Sequence, residues 1–188
     1  MKLRRHSFAP GAAALAACLF LSACGNAGHH SADSSDSTPT TAASASPTLS
    51  AADLAKVQVL AAYQGFWKVQ EEAYSSGSMD GLPVNTYALG QAFYDIKATL
   101  QYYTSENLVM RGKPVLTPKV TALNVAKPPF AATITDCIDT THFLPVDKTT
   151  GKPATTDHVF RHPWTFTASF DNVQWRIMTG KLDRSRTC

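Results

Sequence analysis

From Gly25 to Ser50 the chain has almost nothing with which to build a core. Ser and Thr recur throughout this stretch, spaced by Ala, Gly and Pro, and Leu49 is its only large apolar residue. Such a segment buries too little surface to offset the entropy of ordering it. It is expected to be a disordered tether, with an r.m.s. reach of roughly 27 Å for about 25 flexible residues. His29-His30 falls inside it and reads as a solvated pair rather than a metal site. Whatever folds cooperatively therefore lies in residues 51–188, enough chain for one core and one domain.

Upstream of the tether, Met1 to His6 is basic and contains no acid, and Phe8 to Leu21 is an apolar run rich in Ala and Leu. That layout is a secretory signal. The run is shorter than the roughly 20 residues a membrane span needs, and Pro10 and Gly11 weaken a continuous helix. It ends in Leu21-Ser22-Ala23-Cys24, which resembles a lipobox. The resemblance implies a diacylglyceryl group on the Cys24 sulfur and cleavage between Ala23 and Cys24. It often also implies an acyl chain such as palmitate on the new amino group. Two or three chains anchor stably where one would not. The other reading is an ordinary signal peptide with a chance cysteine. The expected plan is a signal peptide over 1–23, a lipidated tether over 24–50 and a folded domain over 51–188. The expected location is the outer face of the cytoplasmic membrane, with the lipid bilayer as partner through Cys24. Arg4-Arg5 leaves the export route open between the general secretory and twin-arginine systems.

Removing the signal changes the charge. The whole chain carries 17 Lys+Arg against 14 Asp+Glu, and Lys2, Arg4 and Arg5 all precede the cleavage point, which leaves 14 of each. The basic pI of the precursor is thus no reason to expect a nucleic-acid partner. The four cysteines divide in the same way. Cys18 leaves with the signal and Cys24 takes the lipid. Cys137 and Cys188 remain in a compartment where disulfides persist. They are expected to form one bridge, pinning the C-terminal strand.

The folded part begins with a capping signal. Ser50 stands three residues before Asp53, just ahead of an apolar-periodic run. A helix is predicted to about Ser75, with Leu60, Tyr63, Trp67 and Tyr74 on one stripe, widened by Val59, Phe66 and Ala73. Gly77 and Gly81-Leu82-Pro83 break it, and Asn85 or Thr86 can cap a short turn that Gly90 interrupts. A second helix to about Ser105 follows from Leu89, Phe93, Ile96, Leu100 and Tyr103. After Asn107 the texture turns to β. Strands are predicted at 109–111, 115–125, 130–141, 158–170 and 173–182, with a polar loop over 147–157 and a two-residue hairpin turn at Asp171-Asn172. Alternation puts Phe130, Ala132, Ile134, Asp136 and Ile138 inward, and Thr133, Thr135, Cys137 and Asp139 outward. Helices followed by an antiparallel meander make an α+β fold, with helices on one face of a curved sheet.

This order and length resemble the nuclear-transport-factor-2-like, or SnoaL-like, superfamily. More narrowly they resemble a group of exported lipoproteins of actinobacteria. The segments that carry the resemblance are Tyr63-Gln64-Gly65-Phe66-Trp67, the helix from Gly90 to Leu100, Thr135-Asp136-Cys137-Ile138-Asp139, and Trp175-Arg176-Ile177 with Cys188. The resemblance implies a conical cavity between the helices and the concave sheet face. In some members that cavity is an active site, as in ketosteroid isomerases and polyketide cyclases. In many it binds a small apolar ligand.

Within that frame the candidate site residues are few. A desolvated Asp136 would have the raised pKa of a general base. Its bland reading is a rim carboxylate paired with Arg161 or Arg176, or held by backbone N–H. His162 shares strand parity with Trp164 and could pair with Asp136, or be a hydrogen-bonded core or rim histidine. His158 lies roughly 13 Å along the strand from His162, too far for one metal without a bend. Tyr63, Trp67, Trp164 and Trp175 could line a ligand pocket or simply fill the core. There is no Walker loop, GxGxxG or GxSxG, and no metal or cofactor is expected. The favoured expectation is a non-catalytic module binding a small apolar ligand or an envelope protein. The alternative is a SnoaL-like or ketosteroid-isomerase-like enzyme using Asp136 with His162. A third reading, purely structural, has the convex sheet face supporting an envelope complex or a homodimer.

Overall fold

The first helix forms where its cap and its apolar stripe coincide. In the computed structural model, which describes residues 49–154 and 160–188, α1 spans Ala51–Ser76. The Ser50 hydroxyl oxygen accepts from the Asp53 N–H at 3.1 Å, and Gly77 ends the helix at φ 77° with its N–H on the Ala73 carbonyl. Val59, Tyr63, Phe66, Trp67, Ala73 and Tyr74 are all buried, as the periodicity required. The short α2, Val84–Tyr87, follows Pro83 with no side-chain cap, so Asn85 and Thr86 lie inside the turn instead of capping it. Tyr87 lies against Gly65, where any β-carbon would collide with its ring. α3 runs Gly90–Ser105, and of its residues only Ala92 and Ile96 are buried.

Six strands follow: β1 Leu108–Gly112, β2 Lys119–Asn124, β3 Ala131–Asp139, β4 Phe143–Asp147, β5 Arg161–Phe170 and β6 Trp175–Leu182. They form a four-stranded antiparallel sheet in the order β2-β3-β5-β6 and a separate pair, β1-β4. β4 has no counterpart in the sequence reading. Phe143-Leu144-Pro145-Val146-Asp147 is short and carries a proline, and only pairing with β1 makes it a strand. β2 is shorter than expected, because Val115 makes an isolated bridge to Asp139 before Pro118 interrupts the ladder. The β5–β6 connection is four residues, not two. Phe170 pairs with Trp175, and Asp171 closes the loop by accepting the Val173 and Gln174 N–H groups.

The alternation along β3 is clean. Ala132, Ile134, Asp136 and Ile138 are buried, and the residues between them are not. α1 packs across β1, β2 and β6, and α3 across β1 and β6. The core lies between these helices and the inner sheet face, with Tyr63, Phe166, Ile134 and Ile177 at its centre. The outer face carries Thr133, Thr135, Thr165 and Thr167, a row of hydroxyls. No helix among the described residues is long and apolar enough to cross a membrane. The expectations for the signal, Cys24, the tether and His158 lie outside the described residues.

Cys137 and Cys188 are joined, 51 residues apart. A bond of this kind persists in oxidising compartments outside the cytoplasm. Because β6 ends at Leu182 and Cys137 is on β3, the C-terminal tail crosses β5 to reach its partner. On the way the Asp183 N–H donates to the Pro163 carbonyl at 3.0 Å, and the Arg186 carbonyl meets His162 Nδ1 at 2.8 Å. The bridge thus fastens a tail lying beyond the final strand, not that strand directly.

Candidate functional site

Two features of the interior are not ordinary packing. The first is a buried hydrogen-bonded carboxylate. Asp136, at 3 % exposure, sits on the inner face of β3 where the alternation placed it. The Tyr63 hydroxyl donates to its Oδ2 at 2.8 Å. The Thr117 N–H donates to Oδ1 at 2.7 Å, and the Thr117 hydroxyl to the same oxygen at 3.2 Å. Both oxygens are therefore occupied, which is what a carboxylate out of water requires. Neither candidate arginine partners it: Arg161 lies near Asp139 at 3.7 Å, and Arg176 bonds Asp171 at 2.9 Å. The backbone N–H supplies the contact instead.

Burial pushes the Tyr63 hydroxyl far above its ordinary range, reinforced by the Asp136 charge and by the hydrogen bond to it. Tyr63 is thus a donor at every physiological pH. The Trp67 indole N–H works weakly in the other direction, although it closes no hydrogen bond on the Tyr63 oxygen. The structure does not join Asp136 to His162. The imidazole Nδ1 is engaged with the Arg186 carbonyl, and Trp164, not His162, stands opposite Asp136 in the ladder. Asp136 lines a hollow of about 230 Å³ with Thr117, Lys119 and Pro163.

The second feature is a cleft between α1, α3 and the sheet. It has two adjoining lobes of about 490 and 420 Å³ that share Trp67, Gln70, Tyr74, Thr99 and Trp164. These volumes fall in the range of small-molecule sites, roughly 300–1,000 Å³. Trp164 stacks on Phe166, with centroids 5.6 Å apart and planes 12° from parallel, and both residues line the larger lobe. Opposite stands α1 with Phe66 and Trp67. The larger lobe opens between Asp95 on α3 and Lys181 and Arg184 at the end of β6.

Two residues that line the cleft also carry buried donors with no partner, Gln70 Nε2 and Trp67 Nε1. Gln70 is 9 % exposed, and its Oε1 already accepts from the Tyr74 hydroxyl at 3.3 Å. An unsatisfied buried amide costs about 1–3 kcal/mol, so a site that keeps one is under-satisfied without a ligand or water.

Of the expected pocket residues, Trp67 and Trp164 line this cleft. Tyr63, Asp136 and His162 do not. Tyr63 is wholly buried against Phe166, and Trp175 lines a separate groove of about 310 Å³ with Tyr87 and Phe170. Gln70 escaped the sequence reading, although its signal was there: Tyr63, Trp67, Gln70 and Tyr74 follow at steps of four, three and four. A polar residue in an apolar stripe is the informative one. Among the described residues no group of three or more His, Cys, Asp or Glu could hold a metal.

No family model matches the chain, and no curated protein does. Among solved structures, the intermembrane-space region of the chloroplast protein ARC6 is similar with a TM-score of 0.44 and 15% identity, over 72% of this chain and 98% of that one. A likeness at that level assigns neither a family nor an activity to this chain.

Proposed function

We propose that residues 51–188 are a non-catalytic small-molecule-binding module of the nuclear-transport-factor-2-like cone type, displayed outside the cytoplasmic membrane on a lipid anchor at Cys24. One observation carries the binding reading: an aromatic-walled cleft that keeps the buried amide of Gln70 unpartnered. The Cys137–Cys188 bond supports an oxidising compartment, and the Leu21–Cys24 motif supports the anchor.

Native mass spectrometry of the protein purified from its own host tests the binding reading. A small molecule should accompany the wild type and be absent from Ala98→Trp, which fills the cleft from an exposed position on α3. An empty wild type would sink the reading. For the anchor, Cys24→Ala should move the protein from the membrane fraction to the soluble one. Unchanged fractionation would remove the lipid.

The second reading is an isomerase-like or cyclase-like enzyme using Asp136. What favours it is a buried carboxylate bonded to a tyrosine, with no ion pair to it among the described residues. His162 would have to leave the Arg186 carbonyl to take part. That reading expects Asp136→Asn to abolish turnover of a carbonyl substrate while leaving its binding intact.

A further inference from the structure

Exposed apolar side chains gather where the tether meets the folded domain. Leu49, Leu54 and Val57 are exposed, just before α1 or within its first two turns. Val173, in the β5–β6 loop, is the most exposed large apolar residue among those described, at 79 %. Leu49 and Leu54 hold the two positions that flank a helix N-cap as a hydrophobic staple. Leu54, Val57, Gln58 and Ala61 follow at steps of three, one and three, so they share one face of α1. That face is turned away from the buried stripe of Val59, Tyr63 and Phe66. Gln58 and Ala61 continue it into the groove of about 310 Å³, which Val173 lines together with Tyr87, Phe170 and Trp175. One largely apolar strip therefore runs from the tether junction to the β5–β6 loop.

Three observations choose what covers it. The tether enters at Leu49, one end of the strip. A flexible segment of about 25 residues reaches roughly 27 Å, and it holds the strip at an effective concentration on the order of millimolar over whatever surface carries Cys24. Contacts too weak to bind from solution are then occupied. Charged neighbours in the sequence are already paired, Lys56 with Asp53 at 3.1 Å and Arg176 with Asp171 at 2.9 Å, so nothing here calls for an ionic partner. Four exposed side chains also fall far short of the roughly 20–30 residues a side that a stable protein interface buries. A bilayer interface needs neither charge complementarity nor that area.

We propose that this strip faces the bilayer, with Leu49, Leu54, Val57 and Val173 dipping into the boundary between headgroups and acyl chains. The proposal rests on the lipid-anchor reading of Cys24 and adds an orientation to it. The end of the sheet that carries the β5–β6 loop turns to the membrane, and the Asp139 end turns away. These ends are well separated: β3 runs from Ala131, opposite Ser169, to Asp139, opposite Arg161, a span of roughly 26 Å. The smaller lobe of the cleft, which Thr140 lines, then lies at the end away from the membrane.

The test uses the lipidated chain made by its own host, in nanodiscs of phosphatidylethanolamine and phosphatidylglycerol. A fraction of the headgroups carries a gadolinium chelate, and the Leu and Val methyl groups are labelled for NMR. Val115 is the internal reference, since it is exposed and pairs with Asp139 at the far end of the sheet. Methyl relaxation should be severalfold faster at Leu49, Leu54, Val57 and Val173 than at Val115. Leu54→Ser/Val57→Ser/Val173→Ser changes only exposed positions. It should keep the thermal midpoint and bring the relaxation of Leu49 down to the level of Val115.

Equal relaxation at the two ends of the wild type overturns the proposal, as does faster relaxation at Val115. So does a triple variant in which Leu49 relaxes as before. A doubling of mass in sedimentation that the triple variant abolishes would assign the strip to a second copy of the chain instead. Intact mass keeps the two readings apart: a chain without lipid on Cys24 removes the anchor and the orientation with it, whereas a lipidated chain with equal relaxation removes the orientation alone.

Discussion

α1 and α3 have similar apolar periodicity and very different fates. Over 26 residues α1 buries ten, while over 16 residues α3 buries two. The difference comes from what each faces. α1 lies across β1, β2 and β6 and closes the core along its stripe. α3 rests on its N-terminal half through Ala92 and Ile96, while Asp95, Ala98 and Thr99 look into the cleft, and Phe93, Leu100 and Tyr103 are only half-buried. An apolar stripe thus tells a helix to pack but not how completely. The incomplete packing of α3 is what leaves room for the cleft.

The sharpest way to break this comparison is to truncate one phenylalanine on each helix. Phe66→Ala on α1, where the ring is 4 % exposed, should cost about 3–5 kcal/mol. Phe93→Ala on α3 should cost about 1–2 kcal/mol, since part of that ring is already in water. Urea denaturation midpoints with unchanged m-values measure both, and equal losses would mean that α3 is as closed as α1. The tail that carries Arg184 past the end of β6 is fastened by the disulfide, its own turn and two hydrogen bonds to β5. Cys137→Ser/Cys188→Ser should lower stability by roughly 4 kcal/mol, the closure entropy of a loop of this size. The cost should show in the thermal midpoint of the oxidised wild type against the double variant.

On the closed side, Tyr63→Phe removes the donor to Asp136 Oδ2 and leaves a buried carboxylate oxygen unpaired. The expected loss is about 1–3 kcal/mol. It should exceed that of Tyr94→Phe on the exposed face of α3, where no effect beyond a few tenths of a kcal/mol is expected. A neutral Tyr63→Phe would show that the Thr117 contacts suffice.

The smallest effect concerns acid. Asp183 is held down to about 2, first by the Ser185 hydroxyl and then by the Arg186 side chain. Asp147 and Asp171 are also lowered, by the backbone N–H groups of Thr150 and Gln174 above all. A depressed carboxylate contributes stability above its unfolded value, here the ordinary 3.8, and loses it as pH falls through the folded value. The thermal midpoint should therefore hold down to about pH 4 and drop toward pH 2. Asp183→Asn should flatten part of that drop, and an unaltered profile would remove the turn from the account.

Much of the closed side was legible in the sequence. The Ser50 cap, the α1 stripe, the inward set on β3 including Asp136, and the bonded cysteine pair all follow from local periodicity and chemistry. The open side was not. Nothing local in Phe143–Asp147 marks a strand, because its order comes from pairing with β1, dozens of residues away. Periodicity placed His162 on a shared face with Trp164, yet it could not foresee that the tail would claim its ring. Gln70 sat in plain view within the stripe, and only the three-dimensional packing shows that its amide meets no acceptor.

By itself the sequence determined the α+β order and the inward sets of α1 and β3. These depend on spacing along one strand or helix, and side-chain direction there repeats with a fixed period. The tertiary structure alone decided where packing stops: that α3 stands partly clear of the sheet, that Asp136 is satisfied by Tyr63 and Thr117, and that two buried donors on α1 meet no acceptor. Those outcomes depend on how closely separate elements approach one another, and no periodicity within a single element encodes that distance.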